Sequence, residues 1–433
     1  MTQPFGDGSP FDGQSFDMNA LGAMLQQLGQ MMQSGSQNTG PVNWEMAQST
    51  AQAGLTEIGD PATDESGRVA VGAAIDLAET WLDSATVFPR TAAAGYAWTR
   101  GDWLAQTLPA WQVIVAPIAE HVQSVMGPGA HMGGIDINSL DPASIDLPPA
   151  LREALPDGIP PEAMAMLGPL MGMARQMGAT MFGMQLGQGL AALAGEVLGS
   201  SDVGIPLTAD YRPALIPANI AQFTEGLGID ADEVRLYVAL RETAHQRLFA
   251  HVPWLRARLE GALDAYARGI HVDTDRLQEA LGTIDPSALS DPQRLTELLG
   301  EDAFAPVDTP EQQQALARLE TLLALIEGWV DDVVITAAAN RLPAADRLAE
   351  TMRRRRAAGG PAEKTFASLV GLELRPRALR ESAALWARLR SDRDLAGRDA
   401  LWEHPDLLPD HEDLTDPEAF LSRQSEFDDL PDA

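Results

Sequence analysis

The chain has no cysteine, which excludes disulfides, thiolate nucleophiles, cysteine-ligated zinc and iron–sulfur clusters. Lys364 is the only lysine, and basic residues are scarce altogether: 30 Lys and Arg stand against 62 Asp and Glu, a net charge of −32. Such a surface repels nucleic acid and anionic membrane over most of its area, so neither is an expected partner. The opening residues MTQPFGDGSPFDGQSF lack the positive and apolar blocks of a signal peptide, which points to a cytoplasmic location. No G-x-G-x-x-G after a strand, nucleophile elbow or nucleotide loop occurs, and Ser368 and Ser382 have no histidine–aspartate setting. Long apolar runs are missing too. Between Arg175 and Glu196 there is no charge, but Gln176, Gln185 and Gln188 interrupt the span and no basic cluster flanks it, so no membrane crossing is expected.

What is present reads as helix. A length of 433 residues with 45% hydrophobic content supports a sizeable core. The expected class is mainly α, a multi-helix body with disordered N- and C-terminal ends. Residues 1–40 form a flexible segment rich in Gly, Ser and Gln, within which Met18–Met32 has the spacing of a short amphipathic helix. A helical subdomain over 41–200 follows. In it Asn43 caps a first helix carrying Trp44, and a second runs through Val71, Ile75, Ala78, Trp81 and Leu82. Trp98, Trp103 and Trp111 fall in two further stretches, broken near Pro109. Residues 127–162, rich in Gly, Pro and Asp, read as a long loop. The Met- and Gly-rich run 164–199 reads as a close-packed internal helix, with Gly183-x-x-x-Gly187 allowing a neighbour to approach. A second helical subdomain covers 201–400. From Leu401 to Ala433, eleven acids against Arg423 alone, with four prolines, predict an extended acidic tail anchored by Leu401-Trp402. Arg353–Arg356, the only basic run, reads as a solvated helix C-terminus that complements the dipole.

One stretch carries chemistry. Residues 240–251, LRETAHQRLFAH, contain R-E-x-x-H, the spacing of a zinc-protease helix with Arg241 in place of the first histidine. The helix starts near Asp230 or Asp232, and its apolar stripe through Val234, Val238 and Leu248 also includes Arg241 and His245. A buried guanidinium needs a carboxylate, since an unpaired one is too costly to persist. Glu327 and Asp331, at i and i+4 on the edge of a stripe through Leu316, Leu319, Leu323, Ile326 and Val330, are the best candidates.

ALRETAHQRLFAHVPWL (239–255), IEGWVDDVV (326–334), GGPAEKTFASLVGLELRPRALRE (359–381), PVNW (41–44) and HPDLLP (404–409) resemble the actinobacterial zincin-like metallopeptidase family, whose members are labelled hydrolases or zinc-dependent metalloproteases. The resemblance spans about residues 41–410 and implies a mostly helical zincin-like body. Carried over residue by residue, it implies Glu242 as general base, His245 as a zinc ligand, Glu327 as a further ligand and Asp331 as the acid that orients a ligand histidine. Arg241 departs from the pattern at a ligand position. His251, six residues after His245, is the other candidate ligand, since three protein ligands and a water suffice for catalytic zinc. Three readings stay open: a hydrolase with zinc on His245, His251 and Glu327; a pseudoenzyme in which Arg241 bonds Glu327 or Glu242 without metal; and unrelated roles for these residues. Peptide substrate or protein partner is not legible.

Overall fold

The computed structural model describes residues 40–91, 94–126, 161–269, 271–272, 306–307, 309–357 and 378–428. The Met18–Met32 segment and nearly all of loop 127–162 lie outside these residues. Helix α1 (Trp44–Ile58) starts at Asn43, whose side chain accepts from the Met46 amide. In α2 (Glu65–Leu82), Asp64 caps in the same way, and Val71, Ile75, Ala78 and Leu82 are buried. Strand β1 (Tyr96–Ala97) leads into α3 (Arg100–Met126). The break expected at Pro109 does not occur, and α3 runs on through Pro109 and Pro117. Trp103 and Trp111, which flank Pro109 in the sequence, are both fully buried with ring centroids 6.5 Å apart, and that burial outweighs one missing backbone bond. Trp98 precedes the helix instead of lying within one.

The Met- and Gly-rich helix α4 (Pro161–Glu196) lies along α1, running parallel to it. A Cβ on Gly183 would stand 2.4 Å from the Asn43 carbonyl oxygen, and one on Gly187 would stand 2.4 Å from that of Ala47. The glycine pair therefore sets the closeness of this seam. Gly187→Ala should lower stability by about 1–3 kcal/mol, because backbone cannot give way as a side chain can; a thermal melt at wild-type values would show that the seam relaxes. The opposite face is not internal as expected: Met177, Met181 and Met184 are exposed. Among the described residues no helix is long and apolar enough to cross a membrane.

Strand β2 (Ala214–Leu215) pairs in parallel with β1. Helices α5 (Pro217–Thr224), α6 (Ala231–His251) and α7 (Leu255–Arg268) follow. Strands β3 (His271–Val272) and β4 (Pro306–Val307) pair antiparallel. Then come α8 (Pro310–Ala338), α9 (Ala345–Ala357), α10 (Leu379–Ala400), α11 (His411–Thr415) and α12 (Pro417–Asp428). The chain from Pro41 onward forms one compact unit. At its centre α6 and α8 pack on each other. Every residue from Tyr237 to Phe249 on α6, and from Thr321 to Val334 on α8, is buried. Helices buried all round are ordinarily apolar; these carry Arg241, Glu242, His245, Arg247, Glu327, Asp331 and Asp332 inside, so their charges must be satisfied by one another or by neighbours.

The acidic C-terminal segment is not extended over most of its length. It folds as two short 3-10 turns, α11 and α12, as far as Asp428. The anchor at Leu401-Trp402 is present, and Leu414 and Phe420 are buried as well. Asp410 and Asp413 form a reciprocal capping box, and Arg423 pairs with Asp413. Four apolar contacts and a capped helix start thus outweigh the repulsion that composition alone suggests. Trp402 sits among Trp386, Trp254 and Trp329, with ring centroids 5.4, 6.2 and 6.5 Å away.

Candidate functional site

The cap expected for α6 is in place, the Asp230 side chain accepting from the Asp232 amide at 2.8 Å. From this start, residues 241 and 245 turn towards α8. Arg241 Nη2 donates to Glu327 Oε2 at 2.5 Å, and Arg241 Nη1 lies 3.6 Å from Asp331 Oδ1. His245 Nε2 is 3.0 Å from Glu327 Oε1, while its Nδ1 bonds the Arg241 carbonyl at 2.9 Å. A carbonyl and a carboxylate both accept, so the ring makes both bonds only when both nitrogens donate.

A second set of cations comes from α9, with carboxylate partners that the sequence alone does not name for them. Arg356 Nη2 lies 2.9 Å from Glu327 Oε1 and donates at 3.0 Å to the Asp202 carbonyl. Arg355 Nη1 pairs with Asp202 Oδ2 at 2.8 Å, and Arg353 pairs with Asp331 Oδ2 through Nε at 3.0 Å and Nη2 at 2.8 Å. The arginine run is therefore not a solvated helix end. Only Arg354 faces outward, pairing with Glu350. The reason is long-range: Asp202, Glu327 and Asp331 are brought beneath α9 from two other stretches of chain.

Burial would push the Glu327 carboxyl up, but Arg356, His245 and Arg241 outweigh it and hold it well below the usual carboxylate range. Asp202 is likewise lowered against its burial by Arg355 and Arg356. Burial disfavours the Arg241 charge, yet Glu327, Tyr237 and Asp331 more than compensate and raise it. Arg356 has the opposite balance. Burial, with repulsion from Arg241 and Arg355, lowers it despite its two carboxylate neighbours. Tyr237 beside this cluster is pushed up to about 12, burial being the chief cause.

Glu242 faces elsewhere. Its Oε1 takes the Ser200 hydroxyl, the Gln246 amide at 3.1 Å and the Ala214 N–H at 3.3 Å; its Oε2 takes the Ser201 N–H at 3.0 Å and hydroxyl at 2.6 Å. Gly199 makes the room, since a Cβ there would stand 2.5 Å from Oε2. Every oxygen lone pair that could polarise a water is thus engaged by a neutral donor. His251 is on another flank of α6: its Nδ1 bonds the Arg247 carbonyl at 2.8 Å and its ring stacks on Phe88, centroids 5.9 Å apart. Six residues advance 600° around a helix, so His251 and His245 cannot share a face.

The space around Arg241 is nearly filled. Two hollows of about 10 Å³ flank its guanidinium, one towards Arg353 and Arg356 and the other towards Asp202 and Glu242. Each is of single-water size.

The model of the zincin-like metallopeptidase family matches residues 42–421. The chain belongs to that family. No curated protein matches it. A solved structure from Chloroflexus aurantiacus, described as "a putative hydrolase with a novel fold", is similar at TM-score 0.58 and 18% identity, over 89% of this chain and 99% of that one. At that identity the likeness is one of fold.

The family description raises the question of zinc, and the donor set answers it poorly. Of this zincin-like chain's candidate ligands, only His245 and Glu327 meet, and the Arg241 guanidinium beside them has no lone pair to give. Among the described residues no group of three or more His, Cys, Asp or Glu is placed to hold a metal ion. Sequence reasoning brought together Arg241, His245, Glu327 and Asp331. It missed Ser200, Ser201, Asp202, Arg355 and Arg356, for which the available signals were the polar Ser200-Ser201-Asp202 run and the arginine run itself.

Proposed function

We propose that this zincin-like metallopeptidase-family chain has an altered centre. Arg241 and Arg356 neutralise Glu327 in the place where a zinc ion would stand, and the protein acts as a metal-free, non-hydrolytic binding protein. One observation carries the reading: both Glu327 oxygens lie within 3.0 Å of a guanidinium group, Oε2 against Arg241 and Oε1 against Arg356, with His245 Nε2 also 3.0 Å from Oε1. Glu242 supports it, being turned into a cage of neutral donors instead of towards an open space. The second reading, a zinc hydrolase, is favoured by a single feature. His245 Nε2 and Glu327 Oε1 stand 3.0 Å apart, near the spacing of two donors on one tetrahedral zinc.

Metal analysis separates the two. Protein purified without chelator should hold well under one equivalent of zinc. Arg241→His supplies a neutral nitrogen donor at the correct helical spacing and should bind zinc more tightly than wild type in calorimetric titration, with the gain lost when His245→Ala is added. Stoichiometric zinc in the wild type that disappears in His245→Ala would overturn the metal-free reading.

A further inference from the structure

On the outer side of Asp331 lies a cleft of about 320 Å³ between α8, α9 and α10, at the small end of the range for ligand sites. Its wall is apolar and low: Ile335, Ala383, Ala384 and Ala387 leave the space that larger side chains would fill. Three guanidinium groups ring it, Arg353, Arg380 and Arg390. Asp331 and Asp332 line it too, so the three guanidinium groups stand over two carboxylates.

The arginines are held from below. Asp332, 4% exposed, takes Arg390 Nε and Nη2 at 3.1 and 3.0 Å, and also pairs with the fully buried Arg398. Asp331, also 4% exposed, takes Arg353 Nε and Nη2. Buried carboxylates thus fix one edge of each fork. The remaining edge, Nη1, faces no acceptor closer than Glu350 at 3.6 Å for Arg353, and none for Arg390 among the described residues. Arg380 reaches Glu350 through Nη2 alone, at 3.2 and 3.4 Å, and is otherwise open to solvent. Arg380 and Arg390 are ten residues apart on α10, which places their backbones about 15 Å apart along the helix.

We propose that this cleft binds a short acidic peptide segment, its carboxylates on the outward edges of Arg380, Arg353 and Arg390 and its body against Ile335 and the alanines. A bare inorganic anion would use the guanidinium groups but not the apolar wall. The cleft shares Asp331 and Arg353 with the edge of the Arg241–Glu327 network, but the proposal uses only their outward side and needs no metal in that network.

Calorimetric titration of the full chain with a capped hexapeptide of alternating Glu and Ala tests it, with the Gln-for-Glu peptide and inorganic phosphate as companion probes. The acidic peptide should bind saturably, and the Gln peptide at least tenfold more weakly, since charge-assisted bonds become neutral ones. Arg380→Gln, at an exposed position that leaves the fold intact, should weaken binding about tenfold. Ala387→Phe, which fills the cleft, should abolish it with the melting temperature as a check on folding. No saturable binding, equal binding of the Gln peptide or of phosphate, or affinity unmoved in Arg380→Gln would each overturn the proposal.

Discussion

Glu327→Leu should destabilise the protein by about 3–5 kcal/mol, the largest effect expected of any single change at the site, because it strands buried cations. The two partners are not equivalent. Removing Glu327 leaves Arg241 with Asp331 alone at 3.6 Å, Arg356 with Asp202 at 3.5 Å and His245 with no carboxylate, whereas Arg241→Met leaves Glu327 still held by Arg356 and His245. The arginine change should therefore be the milder, about 1–3 kcal/mol. The double variant should fall short of the sum by about 0.5–3 kcal/mol. Denaturant melts of the four proteins decide the matter, and strict additivity would mean that Arg241 and Glu327 do not share a network. The same group sets an acid limb. Its carboxyl is depressed in the fold and ordinary, near 4.3, in the unfolded chain. Its contribution is accordingly complete above that unfolded value and is lost as pH falls towards the depressed one. Stability measured below about pH 4 should drop less steeply in Glu327→Gln than in wild type.

Truncation of residues 412–433 should produce the second large effect. The deletion removes Leu414 and Phe420, 1% and 3% exposed, and opens the surface they cover. Burial of two such side chains is worth about 1.5–3 kcal/mol each, so a melting temperature lower by several degrees is expected. A truncated chain that melts with the wild type would show that α11 and α12 rest on the body without stabilising it. Composition pointed the other way, and the reason is instructive. Net charge and proline content are averages over a segment, whereas docking is decided by a few apolar residues at helical spacing and by one capping pair.

Much of the helical body was legible for a simple reason: apolar residues recur by threes and fours in α2, α6 and α8, and Asn43 and Asp230 stand where caps belong. The Arg241–Glu327 pairing was legible from cost alone, because an arginine in an apolar stripe must find an acid. The origin of the remaining charges was not. Arg355 and Arg356 close on Asp202 from more than 150 residues away, and Glu242 is satisfied by Ser200 and Ser201 from 42 and 41 residues earlier in the chain. Such pairings have no periodicity to announce them. Pro109 misled in the opposite direction, since a local rule about helix breaking was overruled by two tryptophans that only the tertiary packing brings into place.

The indole group of Trp402 has a further consequence. It stacks on Trp386 with 13° between the planes, meets Trp329 edge-on at 85°, and belongs to the first turn of the C-terminal segment. Chromophores this close and this differently oriented couple their electronic transitions, so their near-ultraviolet optical activity depends on mutual geometry and not merely on the environment of each ring. Detachment of the C-terminal segment would separate Trp402 from its three neighbours at once. The molecule thus carries a built-in spectroscopic gauge for whether its acidic end is seated, readable without any label.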